Sequence, residues 1–419
     1  MSSLKESCIK EILDSVSKSE MINLIKELVT GDNARVGGCK GEEDAAKLLK
    51  EKFEELGLLS ELHPFELRRP VSLGVGHLKI YEENLRIKSF NGGTAIPNDL
   101  NHKLVYVNLG SKEDIEACGG LKNKIALIKR GTLSFKEKVL NSYEAGAKAI
   151  IIFNTEKGIS TGSLDNNIPA IPILGMDASD GEKLLEMLNK DRTLVLKHDN
   201  FDIDISYNET PESCNVTGTL LCSKNPKDAK TIILGAHFDS ASSPGASDNA
   251  TGVAVMLEVA RVLCNSPVRN SFNYNLQFAA FGSEELGLLG SKAFASNLQR
   301  ENKASSIQAM INLDMVGVGD YINVFTATKE LAEDISDLAV KYIQAGDGVY
   351  GGNYTNMTNS DHGSFDAIGI PACLVQTGPD HHFHTEYDTI EKIDENNLYN
   401  VCKVIVQMIL SIDDMPERG

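Results

Sequence analysis

Three residues in one short stretch, His237, Asp239 and Asp248, are of the types that bind metal ions or transfer protons. An apolar run over residues 231–236 ends directly before His237, and its length predicts a buried parallel strand. Asp248 follows a loop rich in Ser, Pro and Gly and precedes an apolar helical pattern over residues 253–263. Because ligands of open α/β sheets gather outside the carboxyl ends of strands, the stretch predicts a binding site, with Asp239 placed to fix the tautomer of a metal-bound His237. A polar strand end followed by a capped helix explains the same residues without any chemistry.

Three further strand patterns end in residues of the same kind. Glu284 and Glu285 are adjacent carboxylates between apolar flanks, and they repel each other unless a cation or a proton compensates. Asp314 ends an apolar run, where an aspartate is costly to bury unless it is paired or bound to a metal. His384 lies after the last strand pattern, together with further histidines and carboxylates. A glutamate pair on a helix surface is the alternative for Glu284 and Glu285.

Histidines and several carboxylates at successive strand ends suit zinc, which accepts mixed nitrogen and oxygen ligands. Their number exceeds what one tetrahedral site with a water needs. It fits two zinc ions that share a bridging carboxylate and lie about 3.5–4 Å apart. One glutamate then remains as a general base, so the predicted chemistry is hydrolysis with two Zn²⁺ per chain as cofactors.

The elements that must position these residues differ along the chain. From about residue 201 onward, strand patterns alternate with helical patterns, which predicts a mostly parallel sheet wrapped by helices. Residues 1–64 show helical periodicity over 9–29 and 42–56 and are expected to pack onto this sheet. A glycine-rich stretch between these two helices is predicted to be a turn, because the lysine of a phosphate-binding loop is missing. Between about 70 and 200, short strand patterns without a cluster of His or Cys predict a separate inserted module.

Composition excludes several classes of function. With 419 residues the chain is too long for one ordinary core. A formal net charge of -18 argues against a nucleic acid partner and against an anionic membrane surface. No apolar stretch is long enough to span a bilayer, and the charged, amphipathic N-terminus lacks the pattern of a signal peptide, which predicts a cytoplasmic location.

The motifs taken together resemble the co-catalytic di-zinc aminopeptidase family, which also contains glutamate carboxypeptidase and the transferrin receptor. The matching motifs occur in family order: Ala-His237-Phe-Asp239-Ser, Gly-Ala-Ser-Asp248-Asn-Ala-Thr-Gly, Ser-Glu284-Glu285-Leu-Gly-Leu-Leu-Gly-Ser, Asn-Leu-Asp314-Met, Ser-Asp-His362-Gly-Ser-Phe and His384-Thr-Glu-Tyr-Asp388-Thr. The middle module resembles a protease-associated domain through the stretches 124–131, 134–139 and 145–154.

This resemblance implies an α/β fold of the zinc exopeptidase type, in which a mostly parallel mixed sheet is sandwiched by helices. A smaller, β-rich α+β protease-associated domain is inserted into it. The implied division is 1–75 for the N-terminal part of the peptidase domain, 76–200 for the inserted domain and 201–419 for the main part of the peptidase domain.

The resemblance also implies a metal ligand set. Asp248 would bridge both zinc ions, His237 and Asp314 would complete one site, and Glu285 and His384 would complete the other. A cis peptide bond after Asp248 belongs to the same pattern.

Two residues are implied to act in catalysis without binding metal. Glu284 would be the general base, which takes a proton from water and passes it to the leaving amine. Asp239 would orient the imidazole of the first ligand.

Other residues near these motifs compete for the same functions. His381 and His382 are close enough in sequence to reach a metal, but the pattern His-Thr-x-x-Asp-Thr selects the later histidine. His362 is predicted to be a neighbour of the site. Related aminopeptidases carry a tyrosine just before the Ser-Asp-His motif, which is implied to steady the oxyanion, and Tyr354 lies close to that position but out of register.

Arginine placement indicates which end of the peptide is bound. A carboxypeptidase must hold a terminal carboxylate, for which Arg is best suited. The only arginines in the sequence after residue 270 are Arg300, in a predicted helix-exit loop, and Arg418, in the tail. The inserted domain could still supply Arg130. The prediction is therefore an aminopeptidase acting on peptides with a free N-terminus, with an apolar first residue.

Three alternatives stay open at this level. The first is a carboxypeptidase or dipeptidase on the same scaffold. The second is a mononuclear glutaminyl cyclase-like acyltransferase, which leaves Asp314 and His237 without a function. The third is a non-enzymatic binding protein that keeps zinc for structure.

Overall fold

The computed structural model describes residues 3–29, 35–67, 72–159, 161, 164, 170–207, 212–222 and 225–417 of the chain. Arg418 and the first residues of the glycine-rich stretch, 33–34, lie outside this part of the chain.

The N-terminal segment supplies helices and one edge strand: α1 (Ser3–Asp14), α2 (Lys18–Val29), α3 (Lys40–Glu55) and β1 (Leu59–Glu66). The prediction of a single helix over 9–29 is wrong, because the helical conformation is interrupted between α1 and α2. At this break the Ser17 N–H donates to Glu258 across 2.5 Å, and the Ser17 hydroxyl accepts the N–H of Glu20 and so caps α2.

The middle of the chain forms a sheet of its own. In chain order its elements, together with the two short strands β2 and β11, are β2 (Ser72–Leu73), β3 (Val75–Ile80), β4 (Glu83–Ser89), β5 (Asn101–Tyr106), α4 (Lys112–Ala117), β6 (Lys124–Lys129), α5 (Phe135–Glu144), β7 (Ala149–Phe153), β8 (Ile173–Met176), α6 (Ala178–Lys190), β9 (Val195–Lys197), β10 (Phe201–Ile203) and β11 (Ser206–Tyr207). The strand order is β10-β3-β4-β8-β7-β6-β5-β9, with parallel pairing from β5 to β8. Strands β2 and β11 pair with each other.

The last half of the chain alternates strands and helices as predicted. Its elements are β12 (Glu212–Leu220), β13 (Thr231–His237), α7 (Thr251–Cys264), β14 (Asn275–Phe281), α8 (Leu289–Arg300), β15 (Ile307–Leu313), β16 (Tyr321–Thr326), α9 (Lys329–Ala345), β17 (Tyr350–Tyr354), α10 (His362–Asp366), β18 (Ala372–Gly378) and α11 (Glu395–Asp413). Together with β1 they form a mixed sheet of order β1-β12-β14-β13-β15-β18-β16-β17.

Both faces of this mixed sheet are covered. Along β13, Ile232 and Leu234 join the large core under α2, α7, α9 and α11, whereas Ile233 joins a second core formed with α8 and α10. This alternation is the period of a strand buried on both sides. None of the described helices is both long and apolar enough to cross a bilayer.

The central strands run in parallel and bring their carboxyl ends to one edge. Strands β14, β13, β15 and β18 are neighbours in this order, and the register pairs His237 with Phe281. The polar residues that follow these strands therefore meet at a single place, although they are spread over about 150 positions of sequence.

Candidate metal centre

Two groups of side chains at this edge share one carboxylate. His237, Asp248 and Asp314 form one group, and Asp248, Glu285 and His384 form the other, with the ligand atoms of each group within 4.8 Å of one another. The structure thus brings together all five residues predicted to bind metal.

The atoms that face each other are the ones a metal would use. The Nε2 atom of His237 lies 3.1 Å from Oδ1 of Asp248 and 3.3 Å from Oδ1 of Asp314. The Nε2 atom of His384 lies 2.9 Å from Oδ2 of Asp248 and 3.0 Å from Oε2 of Glu285. The two oxygens of Asp248 therefore serve the two groups separately.

These contacts fit zinc. A neutral imidazole has at most one N–H to donate, yet each Nε2 atom faces two carboxylate oxygens. A cation between the atoms satisfies all of them, and tetrahedral zinc with bonds of about 2.0–2.2 Å separates its ligand atoms by roughly 3.3–3.6 Å, slightly more than the distances here. The donor set of imidazole nitrogen and carboxylate oxygen is also that of zinc sites.

Asp239 connects the two strand ends that carry the site. Its oxygens accept the N–H groups of Glu284 at 2.9 Å and Glu285 at 3.1 Å. Its Oδ1 lies 3.4 Å from Nδ1 of His237, the contact predicted to orient the imidazole. This distance is longer than those from Asp239 to the two backbone N–H groups. Asp239 is fully buried.

Asp248 is fixed through its backbone. The carboxylate of Asp388 accepts the N–H of Ser247 at 2.6 Å and that of Asp248 at 3.1 Å. The peptide bond between Asp248 and Asn249 is cis, as the family resemblance implied. The side chain of Asn249 donates to the carbonyl of Leu313 and accepts from the N–H of Met315, and so ties this turn to the end of β15.

Asp314 follows β15 directly and is oriented by a serine. The Ser360 hydroxyl donates to Oδ2 of Asp314 at 2.7 Å and accepts from the side-chain amide of Asn312 at 2.8 Å. The free Oδ1 of Asp314 is the atom that faces His237.

Glu284 stands beside both groups and belongs to neither of them. Its Oε2 lies 4.0 Å from Nε2 of His237, and its side chain is 11% exposed. Burial raises the pKa of Glu284 well above its usual value, and the nearby charge of His237 opposes this shift. The negative charges of Glu285 and Asp361 raise the pKa further.

The competing histidines lie elsewhere. His381 is 65% exposed, with its ring 3.6 Å from Glu156, and neither it nor His382 belongs to a metal group. His362 is buried, and its Nε2 contacts the carbonyl of Met357 at 2.9 Å, which makes it a neighbour of the site. Tyr354 lines the same cavity as Glu284, with its ring stacked on Phe325.

Negative charge dominates the centre. Burial alone would lower the pKa of His237, but the carboxylates of Glu284 and Asp314 raise it well above the ordinary value. The pKa of His384 is also raised well above its ordinary value, because the carboxylates of Glu285 and Asp248 outweigh the opposite effect of burial. Bound cations would relieve this crowding of carboxylates.

Arg35 supports the loop that carries Asp248, and this function was not predicted from the sequence. Its buried guanidinium donates to the carbonyls of Phe238, Pro244 and Gly245 in the loop before Asp248, at 2.7–3.0 Å. Burial lowers its pKa to about 10, although four carboxylates of the centre oppose that shift. No local signal marks it, because it lies within the glycine-rich stretch predicted to be a turn.

A large cavity opens onto the centre. Its volume is about 1110 Å³, and Asp248, Glu284, Glu285, Asp314 and His384 all line it. The cavity is also lined by residues of the inserted domain, between the end of β6 and the start of α5, and by residues of β16, β17 and β18: Arg130, Ser134, Phe135, Lys136, Tyr321, Asn323, Tyr350, Tyr354 and Gln376.

Comparison with known proteins identifies the scaffold. Residues 215–409 match the description of peptidase family M28, and residues 100–184 match that of the PA domain. The chain is 32% identical over 402 residues to aminopeptidase YwaD of Bacillus subtilis strain 168, which covers 92% of this chain and 82% of that relative. The chain belongs to peptidase family M28.

Solved structures agree with this membership. The M28 chain superposes on BSAP, a zinc aminopeptidase from Bacillus subtilis, with a TM-score of 0.78 over 94% of this chain and 95% of the other, at 27% identity. An aminopeptidase from Aneurinibacillus sp. strain AM-1 gives a TM-score of 0.70 over 96% and 95% of the two chains, at 31% identity. The predicted family, fold class and inserted protease-associated domain are confirmed.

Proposed function

We propose that this M28 chain is a zinc-dependent aminopeptidase that hydrolyses the first peptide bond of peptides with a free N-terminus. The observation that carries the proposal is the pair of donor groups joined by Asp248, with Glu284 beside them at the floor of an open cavity. The aminopeptidases among its relatives support the same activity.

The residues that would hold two zinc ions are those of the two groups. Asp248 would bridge, His237 and Asp314 would complete one site, and Glu285 and His384 would complete the other. When bound, zinc supplies Lewis acidity, which polarises the scissile carbonyl and lowers the pKa of water.

Glu284 moves the proton. It accepts a proton from the attacking water and delivers it to the nitrogen of the leaving amine. A base suited to this task has a pKa near the working pH, and burial shifts the pKa of Glu284 upward from the usual carboxylate value. Asp239 holds the Glu284 and Glu285 N–H groups, and therefore keeps the base and its neighbouring ligand in place.

The charge of the cavity floor favours an α-ammonium group. Carboxylates line the floor, whereas Arg300 lies in the last turn of α8 and does not line the cavity. Arg130, the arginine that the sequence left open, does line it, between the rings of Phe135 and Phe383 at 5.6 Å each. Substrates blocked at either end therefore separate the two exopeptidase activities.

We further propose the domain division 1–75, 76–200 and 201–419. The sheet of the middle region begins with β3 at Val75 and ends with β10 (Phe201–Ile203), which pairs with β3, so it extends slightly beyond 76–200 at both ends. Strand β1 pairs with β12 of the main sheet, which supports an insertion between the two parts of the peptidase domain. Since the inserted domain lines the cavity, it would limit the size of the substrates.

The test uses leucine para-nitroanilide and its N-acetylated form, with the wild type and the Glu284→Gln variant. The wild type is expected to release para-nitroaniline only from the free-amine substrate. The variant is expected to lose about 100-fold to 10,000-fold in kcat, the range for a general base, while it retains zinc.

Two results would overturn the proposal. Equal turnover of the acetylated substrate would exclude recognition of the free amine. An active Glu284→Gln variant with normal zinc content would exclude Glu284 as the base.

A further inference from the structure

Glu42 reaches the catalytic loop from the other end of the sequence. It lies in the first turn of α3, and only 2% of the residue is exposed. Its Oε1 accepts the N–H of Ser283 at 2.8 Å, the hydroxyl of Ser283 at 3.1 Å and the hydroxyl of Ser213 at 2.9 Å. Its Oε2 accepts the N–H of Gly38 at 2.6 Å.

The residue that Glu42 holds is conformationally unusual. Ser283 directly precedes Glu284 and adopts a left-handed backbone with φ of 52°. This region is uncommon for residues other than glycine and persists where surrounding contacts impose it. Both polar groups that Ser283 can donate, its N–H and its hydroxyl, are directed to one oxygen of Glu42.

The N-terminal segment and the catalytic loop approach each other closely. A Cβ atom on Gly37 would lie 2.3 Å from the hydroxyl oxygen of Ser283. A Cβ atom on Gly282 would lie 2.4 Å from the carbonyl oxygen of Cys214 and 2.8 Å from Oε1 of Glu42. Glycine at these two positions allows the buried carboxylate to reach the loop.

Three consecutive N–H groups of the loop are thus bound by two buried carboxylates. Glu42 accepts that of Ser283, and Asp239 accepts those of Glu284 and Glu285. We infer that Glu42 is a positioning residue for the catalytic base: by fixing Ser283, it sets where the Glu284 carboxylate stands relative to the ligands. This inference rests on the proposed function, in which Glu284 is the base.

A purely structural function of Glu42 makes a different prediction. Its acceptance of the Gly38 N–H in the first turn of α3 would stabilise that helix regardless of catalysis. Loss of this contact alone would lower the melting temperature and leave kcat unchanged below the transition. The two explanations therefore separate in kcat measured on folded protein.

The experiment compares Glu42→Ala and Glu42→Gln with a matched control, Glu43→Gln. Glu43 is the next residue of the same helix, but its side chain is 58% exposed and pairs with Lys40 and Lys47 on the surface. For each variant, kcat and KM for leucine para-nitroanilide, zinc content and melting temperature are measured, with assays run well below the melting temperature.

Glu42→Ala is expected to lower kcat by about 100-fold, the effect of a displacement of about 1 Å in a catalytic group, with KM and zinc content unchanged. Glu42→Gln should give an intermediate kcat, because a neutral amide oxygen accepts from Ser283 more weakly than a carboxylate oxygen does. Its amide nitrogen cannot accept from Gly38, and this loss should lower only the melting temperature. The glutamine variant also provides the test if the alanine variant does not fold. Glu43→Gln should match the wild type.

A double variant shows whether Glu42 acts through Glu284. If it does, Glu42→Ala should change kcat by less than about twofold in the Glu284→Gln background, since coupled residues are not additive. A full second loss in the double variant, or wild-type kcat in Glu42→Ala, would overturn the inference.

Failure of the proposed function is recognised separately. An active Glu284→Gln single variant would remove the base assignment whatever Glu42 does. An inactive Glu284→Gln together with an unaffected Glu42→Ala would leave the proposed function standing and reject only the positioning of Glu284 by Glu42.

Discussion

The two halves of the metal centre are built differently. The inner group, His237, Asp248 and Asp314, takes its two unshared ligands from the ends of β13 and β15 in the main sheet, and its histidine side chain is 1% exposed. The outer group, Asp248, Glu285 and His384, takes its histidine from a loop after β18, and that side chain is 19% exposed.

The inner group is held mainly by the peptidase domain itself, and the inserted domain adds a contact from Lys88 to the carbonyl of Ser242. Ser360 orients Asp314, Asp388 binds the backbone at Asp248, and Arg35 braces the loop that leads to it. All three supporting side chains are buried.

The loop of His384 is held in part by the inserted domain. Glu386 accepts from the guanidinium of Arg86 at 3.2 Å and from the N–H of Ile159 at 3.0 Å. The guanidinium of Arg130 lies 5.6 Å from the ring of Phe383, next to the ligand. The inserted domain therefore does more than line the cavity, because it also contacts the residues on both sides of His384 in the sequence.

The largest effect is expected where the two halves meet. Asp248→Ala removes an oxygen from each group and should lower zinc content below one ion per chain. It should also reduce kcat by more than about 100-fold, beyond the usual effect of residues that only support a ligand. Elemental analysis and leucine para-nitroanilide turnover measure this, and retention of about two zinc ions would contradict a bridging function.

Loss of one histidine should separate the halves. His384→Ala and His237→Ala are each expected to retain about one zinc ion per chain, because each leaves one group complete. The melting temperature should fall further in His237→Ala, since truncation of a fully buried ring leaves a cavity. If His384→Ala binds no zinc at all, the two groups are not independent sites.

Arg35→Met tests the support of the inner group. It removes donors to several buried carbonyls, and each buried acceptor left without a partner costs about 1–3 kcal/mol. The free energy of unfolding should therefore fall by about 3 kcal/mol. Arg35→Lys should lose less of the free energy of unfolding than Arg35→Met but should not match the wild type, since an ammonium lacks the planar fork of five donors. Urea denaturation gives the values, and a loss below about 1 kcal/mol for Arg35→Met would show that the loop does not depend on this residue.

The smallest effect concerns the support of the outer group. Glu386→Gln weakens the contact with the inserted domain and should reduce the affinity of one zinc ion by about tenfold, as for other residues that support a ligand. The other ion should bind as before. Competition with a zinc chelator measures both.

A control for this prediction is Asp202→Asn, which removes an exposed ion pair between β10 and β3, with Lys79 at 2.6 Å, without touching the loop of His384. Equal zinc affinities in the two variants would show that the contact at Glu386 does not support the ligand.

The strands that carry the centre were predictable because their signals are local. The strand predicted over 231–236 is observed as β13 (Thr231–His237), since apolar runs bounded by turns mark buried strands. The candidate ligands were visible for the same reason: a His or an Asp at the end of an apolar run conflicts with its surroundings unless it has a function.

Contacts between distant segments were not predictable in this way. Arg35 and Glu42 reach the centre across 205 and 241 positions, from segments predicted only as a turn and a helix. The strand β1 was missed because it contains Pro64, which is tolerated there since β1 is at the edge of the sheet. The supporting functions of Ser360 and Asp388 follow from tertiary geometry, although both stand in motifs that the sequence displays.

A zinc titration of metal-free wild-type protein, with bound zinc and leucine para-nitroanilide turnover followed together, tests the two-ion centre itself. Two equivalents of zinc are expected to bind per chain, and full turnover is expected to require both. Saturation at one equivalent with full turnover would contradict the shared function of Asp248 and with it the two-ion centre.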